Sequence, residues 1–140
     1  ITIMYKLMKK KTLSKLKKEL DTIFSKYIRL RNADKNGNTQ CVTCGKVDRW
    51  QNLQCGHFMS RRYLATRIHE VNWFTQCVSC NIFKSGEQWK FGQFIDKNLG
   101  EGTSEQLAIL AHTTVKYMRH EYEEKIKHYT EEVKKLTNDS

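Results

Sequence analysis

Residues 41–86 read CVTCGKVDRWQNLQCGHFMSRRYLATRIHEVNWFTQCVSCNIFKSG, and the fold turns on how this stretch is read. It holds two Cys-x-x-Cys pairs, Cys41/Cys44 and Cys77/Cys80, which enclose Gly56-His57-Phe58, with Asn72 and Asn81 downstream of the histidine. A Cys-x-x-Cys turn presents two thiolates at about 2.3 Å from a zinc ion, and two such turns complete a tetrahedron with no position left for water. The spacing therefore predicts a closed, structural zinc site. Disulfides are the rival use of paired cysteines, and they need an oxidising compartment. The sequence carries no signal-peptide pattern and no apolar run long enough to span a bilayer, so zinc and a cytoplasmic location are expected. A redox pair is disfavoured by the doubled motif and by the lack of a surrounding βαβ pattern.

Outward from this stretch, the 140 residues suit one domain with helical arms. The 39% hydrophobic content allows only a modest core, to which bound zinc would add folding free energy. Twenty-five Lys and Arg against 15 Asp and Glu give a net charge of +10. Such a surplus favours a polyanionic partner through phosphate contacts, although a merely solvated basic surface has the same composition. No proline and only seven glycines argue against a long flexible hinge.

Residues 1–11 read as a basic arm. Leu13, Leu16, Leu20, Ile23, Phe24, Tyr27 and Ile28 recur at three- and four-residue spacing and predict an amphipathic helix over about 12–32, with Thr12 or Ser14 as its cap. Asn32–Asn38 is turn chemistry. A short hairpin is expected between Arg49 and Phe58, turning at Gln51-Asn52, with His57 at the end of its second strand. Residues 59–73 read as a long loop in which Arg61, Arg62 and Arg67 accompany Tyr63, a combination suited to a sugar-phosphate backbone. Cys77–Lys84 should pass from knuckle to helix with Asn81 in the first turn. Ser85-Gly86 should break it, and a helix over 87–98 should bury Trp89, Phe94 and Ile95. From Ser104 a single long helix is expected, its seam running Leu107, Ala111, Val115, Met118, Tyr122, Ile126, Tyr129, Val133 and Leu136. Residues 121–140 hold six acids against four lysines, so this helix is expected to assemble the protein, by packing on the first helix or in a homodimer, rather than to grip DNA.

A treble-clef zinc scaffold sets a short strand against the start of a helix, which would bring His57 opposite Asn81. A histidine near neutral pKa can take a proton from water while a divalent cation stabilises the charge that develops on a cleaved phosphodiester. A packed histidine with no catalytic part is the bland alternative.

The order Cys-x-x-Cys, Gly-His-Phe, Asn72, Cys-x-x-Cys-Asn-x-x-Lys resembles the HNH (His-Me finger, ββα-metal) nuclease pattern. More narrowly, Gln54–Arg62, Ala65-Thr66-Arg67, Asn72, Gln76–Asn81 and Lys84-Ser85-Gly86 resemble the phage lambda NinG (Rap) family of recombination endonucleases over roughly residues 27–98. The resemblance implies an α+β fold: a zinc-bound treble-clef ββα-metal core over 37–100, preceded by the arm and helix of 1–36 and followed by the long helix of 101–140. It implies that His57 is the general base, that Asn72 holds the loop and orients the histidine, and that Asn81 ligates a catalytic Mg2+ or Mn2+. Lys84 would contact a phosphate beside Arg61, Arg62 and Arg67. The implied substrates are branched intermediates such as Holliday junctions, D-loops and forks, cut in a phage-infected or prophage-carrying bacterium. One departure stands out: Gly56 occupies the position where many HNH enzymes place an aspartate ligand, which leaves Glu70, Asp48, Glu87 or the phosphate itself with waters to complete the shell. The competing functions are a non-catalytic treble-clef DNA-binding protein and a zinc-scaffolded protein-interaction module.

Overall fold

The computed structural model describes residues 10–138, so most of the expected basic arm lies outside the described residues. The first helix, α1 (Leu13–Arg31), starts at Thr12, whose extended backbone lets Oγ1 accept from the Lys15 N–H at 3.1 Å. Its apolar stripe of Leu16, Leu20, Phe24 and Ile28 is buried. Two three-residue strands follow, β1 (Asn38–Gln40) and β2 (Val47–Arg49), paired antiparallel with Thr39 opposite Asp48. The Cys41–Cys44 turn is the loop of this hairpin.

The hairpin expected between Arg49 and Phe58 does not form. Trp50–Asn52 is a 3-10 turn, and β3 (Gln54–His57) pairs instead with β4 (Trp73–Gln76), His57 lying opposite Trp73. Burial decides the pairing, because all four residues of β4 are buried. Trp73 packs with Phe24 and Leu20 of α1, while Phe74 packs on the other face of the strand with Phe91 and Ile95. A partner for β3 drawn from 49–53 would bury no comparable surface on either side. Between the strands, the expected loop contains one helical turn, α2 (Leu64–Arg67).

After β4 the chain makes a π-helical turn (Ser79–Phe83) and passes into α3 (Gln88–Leu99), which ends at Gly100 with φ +117°. The core contacts of α3 are Phe91, Ile95 and, partly, Phe94. Trp89 was expected in the core but is 75% exposed, because two helical positions before Phe91 lies the opposite face.

The single final helix is also corrected. It is two: α4 (Thr103–Ala111) and α5 (Arg119–Asn138). Thr113 Oγ1 donates to the Leu110 carbonyl at 2.7 Å, ending α4 in a run of β-branched residues that do not favour renewed helix. Ser104 does not cap α4; its N–H and hydroxyl both donate to Asp96 at 2.8 Å, tying α4 to α3. Helix α5 lies along α1 in the same direction, with Arg119 donating to the Lys11 carbonyl at one end and Tyr129 against Tyr27 further along. Tyr122, Tyr129 and Val133 are buried there. The middle of the expected seam, Tyr122, Ile126 and Tyr129, is thus covered by α1, and a homodimer through those side chains would have to displace it. Glu70 locks the arrangement, accepting hydrogen bonds from Tyr27 and Tyr129 hydroxyls at 3.1 Å each.

No helix among the described residues is long and apolar enough to cross a membrane.

Candidate functional site

The β1–β2 hairpin loop and the turn after β4 bring Cys41, Cys44, Cys77 and Cys80 together, with all four sulfur atoms within 4.8 Å of one another. Four thiolates at about 2.3 Å from one ion stand roughly 3.8 Å apart, and Cys44 Sγ lies 3.6 Å from Cys77 Sγ. All four are free thiols, so the spacing is that of metal ligands rather than disulfides. Burial alone would raise the Cys41 thiol, but hydrogen bonds from Thr43 and from nearby backbone N–H groups outweigh it and bring the pKa down to about 6. The Cys77 sulfur accepts the Cys80 N–H at 3.4 Å. Four thiolates at this spacing repel one another unless a cation sits among them, and a structural metal such as zinc fits the donors and their geometry.

The second feature is a cavity of about 350 Å³ between α1, the β3–β4 pair and the π turn. His57 and Asn81 both line it, as do Cys55, Trp73 and Arg61. The His57 ring packs 5.5 Å from the Trp73 ring. Asn81 donates from Nδ2 to Gln54 Oε1 at 2.8 Å, which turns its amide so that the carbonyl oxygen carries no hydrogen bond within the described residues. Burial lowers the His57 pKa below its ordinary 6.5; Arg61 lowers it further, Asp21 pulls the other way and Arg67 adds a smaller push down. His57 is therefore neutral at pH 7. In metal-free protein, its ring protons followed by NMR should titrate with a midpoint below 6.5. The unfolded chain binds that proton more tightly, so this histidine should make stability fall as pH drops below 6.5 and leave it flat above. A midpoint at or above 6.5 would contradict the burial.

A wider, shallower groove of about 930 Å³ lies between the knuckle and α3. Its Asp96 is already held by Ser104, and it offers no histidine or thiol.

A model of the family described as Bacteriophage Lambda NinG protein matches residues 2–139, nearly the whole chain. The chain belongs to the NinG family. No curated protein and no solved structure matches it.

The remaining candidate residues of this NinG chain divide sharply. Asn72 is wholly buried: Oδ1 accepts from the Met59 N–H at 2.7 Å, and Nδ2 donates to the Met59 and Thr66 carbonyls at 3.0 and 3.1 Å. It closes the loop from 59 to 72, and its own backbone carbonyl accepts from Phe58 at 2.8 Å, fixing the residue after His57. Arg61 is 53% exposed at the cavity, and Arg62 is exposed with its guanidinium over the Tyr63 ring. Lys84 is exposed just after the π turn. Arg67, expected at a DNA backbone, instead faces inward: it reaches Asp21 with Nε at 3.2 Å and Nη2 at 2.6 Å, and its Nη1 donates to the Arg61 carbonyl. Its position in the chain resembled that of its neighbours; the buried carboxylate on α1 that claims it is 46 residues away.

Sequence reasoning missed that carboxylate. Asp21 is buried yet lines the His57 cavity, whereas Glu70, Asp48 and Glu87 do not. Glu70 serves the two tyrosines, Asp48 accepts from Arg49 N–H and Asn52, and Glu87 pairs with Lys90. Asp21 sits on α1 among residues that read as an ordinary polar helix face, and its burial was the only distinguishing signal. The structure also explains Gly56: a Cβ there would lie 1.8 Å from Gln76 Oε1. Gln76 is itself pinned by bonds from Nε2 to Thr43 Oγ1 and the Gly86 carbonyl, so the place of an aspartate side chain is already filled.

Proposed function

We propose that this NinG-family chain is a zinc-stabilised endonuclease of the HNH type that hydrolyses phosphodiester bonds in branched DNA during phage recombination, in the cytoplasm of the host bacterium. The observation that carries the reading is the shared cavity: a half-buried, neutral imidazole on a strand end, an amide oxygen with no hydrogen bond among the described residues on the following turn and a carboxylate from α1, with an exposed arginine beside them.

These donors suit Mg2+ or Mn2+. Such ions prefer oxygen ligands, and Asp21 and Asn81 offer them where Gly56 cannot. Arg67 and, at 3.5 Å, Arg61 already pair with Asp21; an ionised carboxylate has about four lone-pair directions, so one remains for an ion. A bound ion would stabilise the charge that develops at the scissile phosphate.

The chain's own groups would do the rest. His57 would take a proton from water through its unprotonated ring nitrogen, and the resulting hydroxide would attack phosphorus as the bond to the 3′ oxygen breaks; that oxygen takes a proton from solvent water, leaving a 5′-phosphate and a 3′-hydroxyl. Trp73 and the strand backbone hold the imidazole in place, and Asn72 holds the loop that carries Arg61 and Arg62 toward the phosphates.

The test is incubation of purified protein with labelled linear, forked and four-way DNA, with and without Mg2+ or Mn2+, beside His57→Ala. Wild-type cleavage should depend on the divalent ion, and His57→Ala should lower the rate about 100-fold or more while zinc content and DNA affinity persist. No cleavage under any divalent ion, with DNA binding intact, would instead favour the second reading, a non-catalytic treble-clef zinc DNA-binding protein, which the exposed Arg61, Arg62 and Lys84 also support.

A further inference from the structure

Asn81 is followed by Ile82 and Phe83, which end the π turn, and by Lys84, which caps it. Ile82 is 56% exposed and Phe83 80% exposed, a large apolar surface for two consecutive residues of one turn. A π turn is rare in folded chains and is found mostly at functional positions. This one is fastened at both ends. Asn81 N–H bonds to the Cys77 carbonyl at 2.9 Å, Lys84 N–H to Ser79 at 2.9 Å, and Gly86 N–H to Cys80 at 2.8 Å. The Gly86 carbonyl in turn accepts from buried Gln76. Its exit passes through three successive left-handed residues, Ser85, Gly86 and Glu87, at φ 53°, 86° and 49°. Only the glycine adopts that region without strain, so the backbone is bent at a cost, in a way that leaves Phe83 out in solvent. The tip is thus a hydrogen-bonded projection, mounted on the cysteine cluster, and it begins one residue after a side chain that lines the His57 cavity.

We propose that Phe83, with Ile82 beside it, is a wedge that enters the opened base stack at a DNA branch point. This deepens the DNA-acting reading above and rests on it. Charge selects the occupant: Lys84 adjoins the apolar pair, Arg61 stands exposed at the neighbouring cavity, and the chain carries +10. An apolar projection beside exposed cations suits stacked bases flanked by phosphates better than an apolar protein groove. Branched DNA is favoured over continuous duplex for a physical reason. Inserting a side chain between intact base pairs requires unstacking them, whereas at a fork or four-way junction the stack is already interrupted. Stacking on the aromatic ring is then gained without that expense, so one side chain can separate branched from linear substrates.

The experiment uses the full chain with its zinc and DNA carrying 2-aminopurine at the branch point of a four-way junction, with a linear duplex of matched sequence, in buffer without added Mg2+ or Mn2+. Wild type should prefer the junction and change the fluorescence of the branch-point base. Phe83→Ala should bind the junction about ten-fold or more weakly, keep its affinity for linear duplex and abolish the fluorescence change. Phe83→Trp should restore both, and zinc content reports that each variant is folded. An unchanged junction preference in Phe83→Ala would overturn the wedge, as would an equal loss on both DNAs with zinc retained. Failure of wild type to bind either DNA would overturn it in favour of a protein partner at this tip. The two readings fail separately: a Phe83-dependent junction preference without divalent-dependent cleavage removes only the hydrolase, and cleavage with a preference indifferent to Phe83 removes only the wedge.

Discussion

Cys80→Ser should reduce bound zinc from one ion per chain to almost none and lower the thermal unfolding midpoint by about 10 °C or more. The reason is how little else holds the knuckle hairpin to the turn that follows β4. The strands of the knuckle hairpin are three residues long, and two-stranded sheets of that length are marginal in water. The buried cluster there consists of Leu53 and three of the cysteines themselves. A structural zinc contributes roughly 10–16 kcal/mol to the folding of small metal-dependent modules, far more than one leucine can. A serine hydroxyl at the buried Cys80 position stays protonated and is a poor zinc ligand, so three thiolates would remain around an open coordination position. Helices α1 and α5 bury their aromatic seam against each other without help from the metal, so most of the helical circular dichroism should survive at low temperature. Metal analysis and thermal melts with and without a chelator make the comparison. A chelator-insensitive melt, or a Cys80→Ser protein as stable as wild type, would show that the sulfur cluster is not a metal site.

Asn72→Asp should be nearly as damaging despite changing one atom. The amide of Asn72 makes three hydrogen bonds with no exposure to water. The aspartate keeps the acceptor for the Met59 N–H but turns the donor into an oxygen facing the Met59 and Thr66 carbonyls. Two carbonyls would lose their partner, and a charge would be buried with one N–H to satisfy it. Either the carboxyl remains protonated or the loop from 59 to 72 opens. We expect a loss of about 3–5 kcal/mol at pH 7 in chemical denaturation, partly recovered at pH 5 as the carboxyl protonates. Because the same loop carries Arg61 and Arg62, DNA affinity should fall with it. Stability within about 0.5 kcal/mol of wild type would mean that this amide does not hold the loop closed.

Much of the site was legible before any coordinates. The four cysteines can be paired by spacing, since a knuckle is a local structure and its ligands announce themselves within four residues. Thr12 and the three- and four-residue spacing of Leu16, Leu20, Phe24 and Ile28 placed α1 for the same reason. The strand-compatible residues before His57 place it at a strand end, and β3 ends there. Where the reading failed, the deciding partner was distant. The choice of β4 over residues 49–53 as partner for β3 depended on Trp73 and Phe74 having helices to bury against on both faces. The break after Ala111 depended on a Thr113 hydroxyl taking up a helix carbonyl, where a seam of apolar residues suggested continuity.

The sequence by itself determined which four cysteines form the candidate metal cluster, the cap and stripe of the first helix and the presence of a histidine with two asparagines in a family-like order, because those are set by spacing and by the preferences of neighbouring residues. Only the tertiary structure decided that Asp21 joins His57 and Asn81, that Arg67 is spent on that carboxylate, and that Gln76 occupies the room beside Gly56. Each of these is a contact between segments 20 or more residues apart, and its energy comes from burial and charge pairing that exist only once the chain has closed on itself.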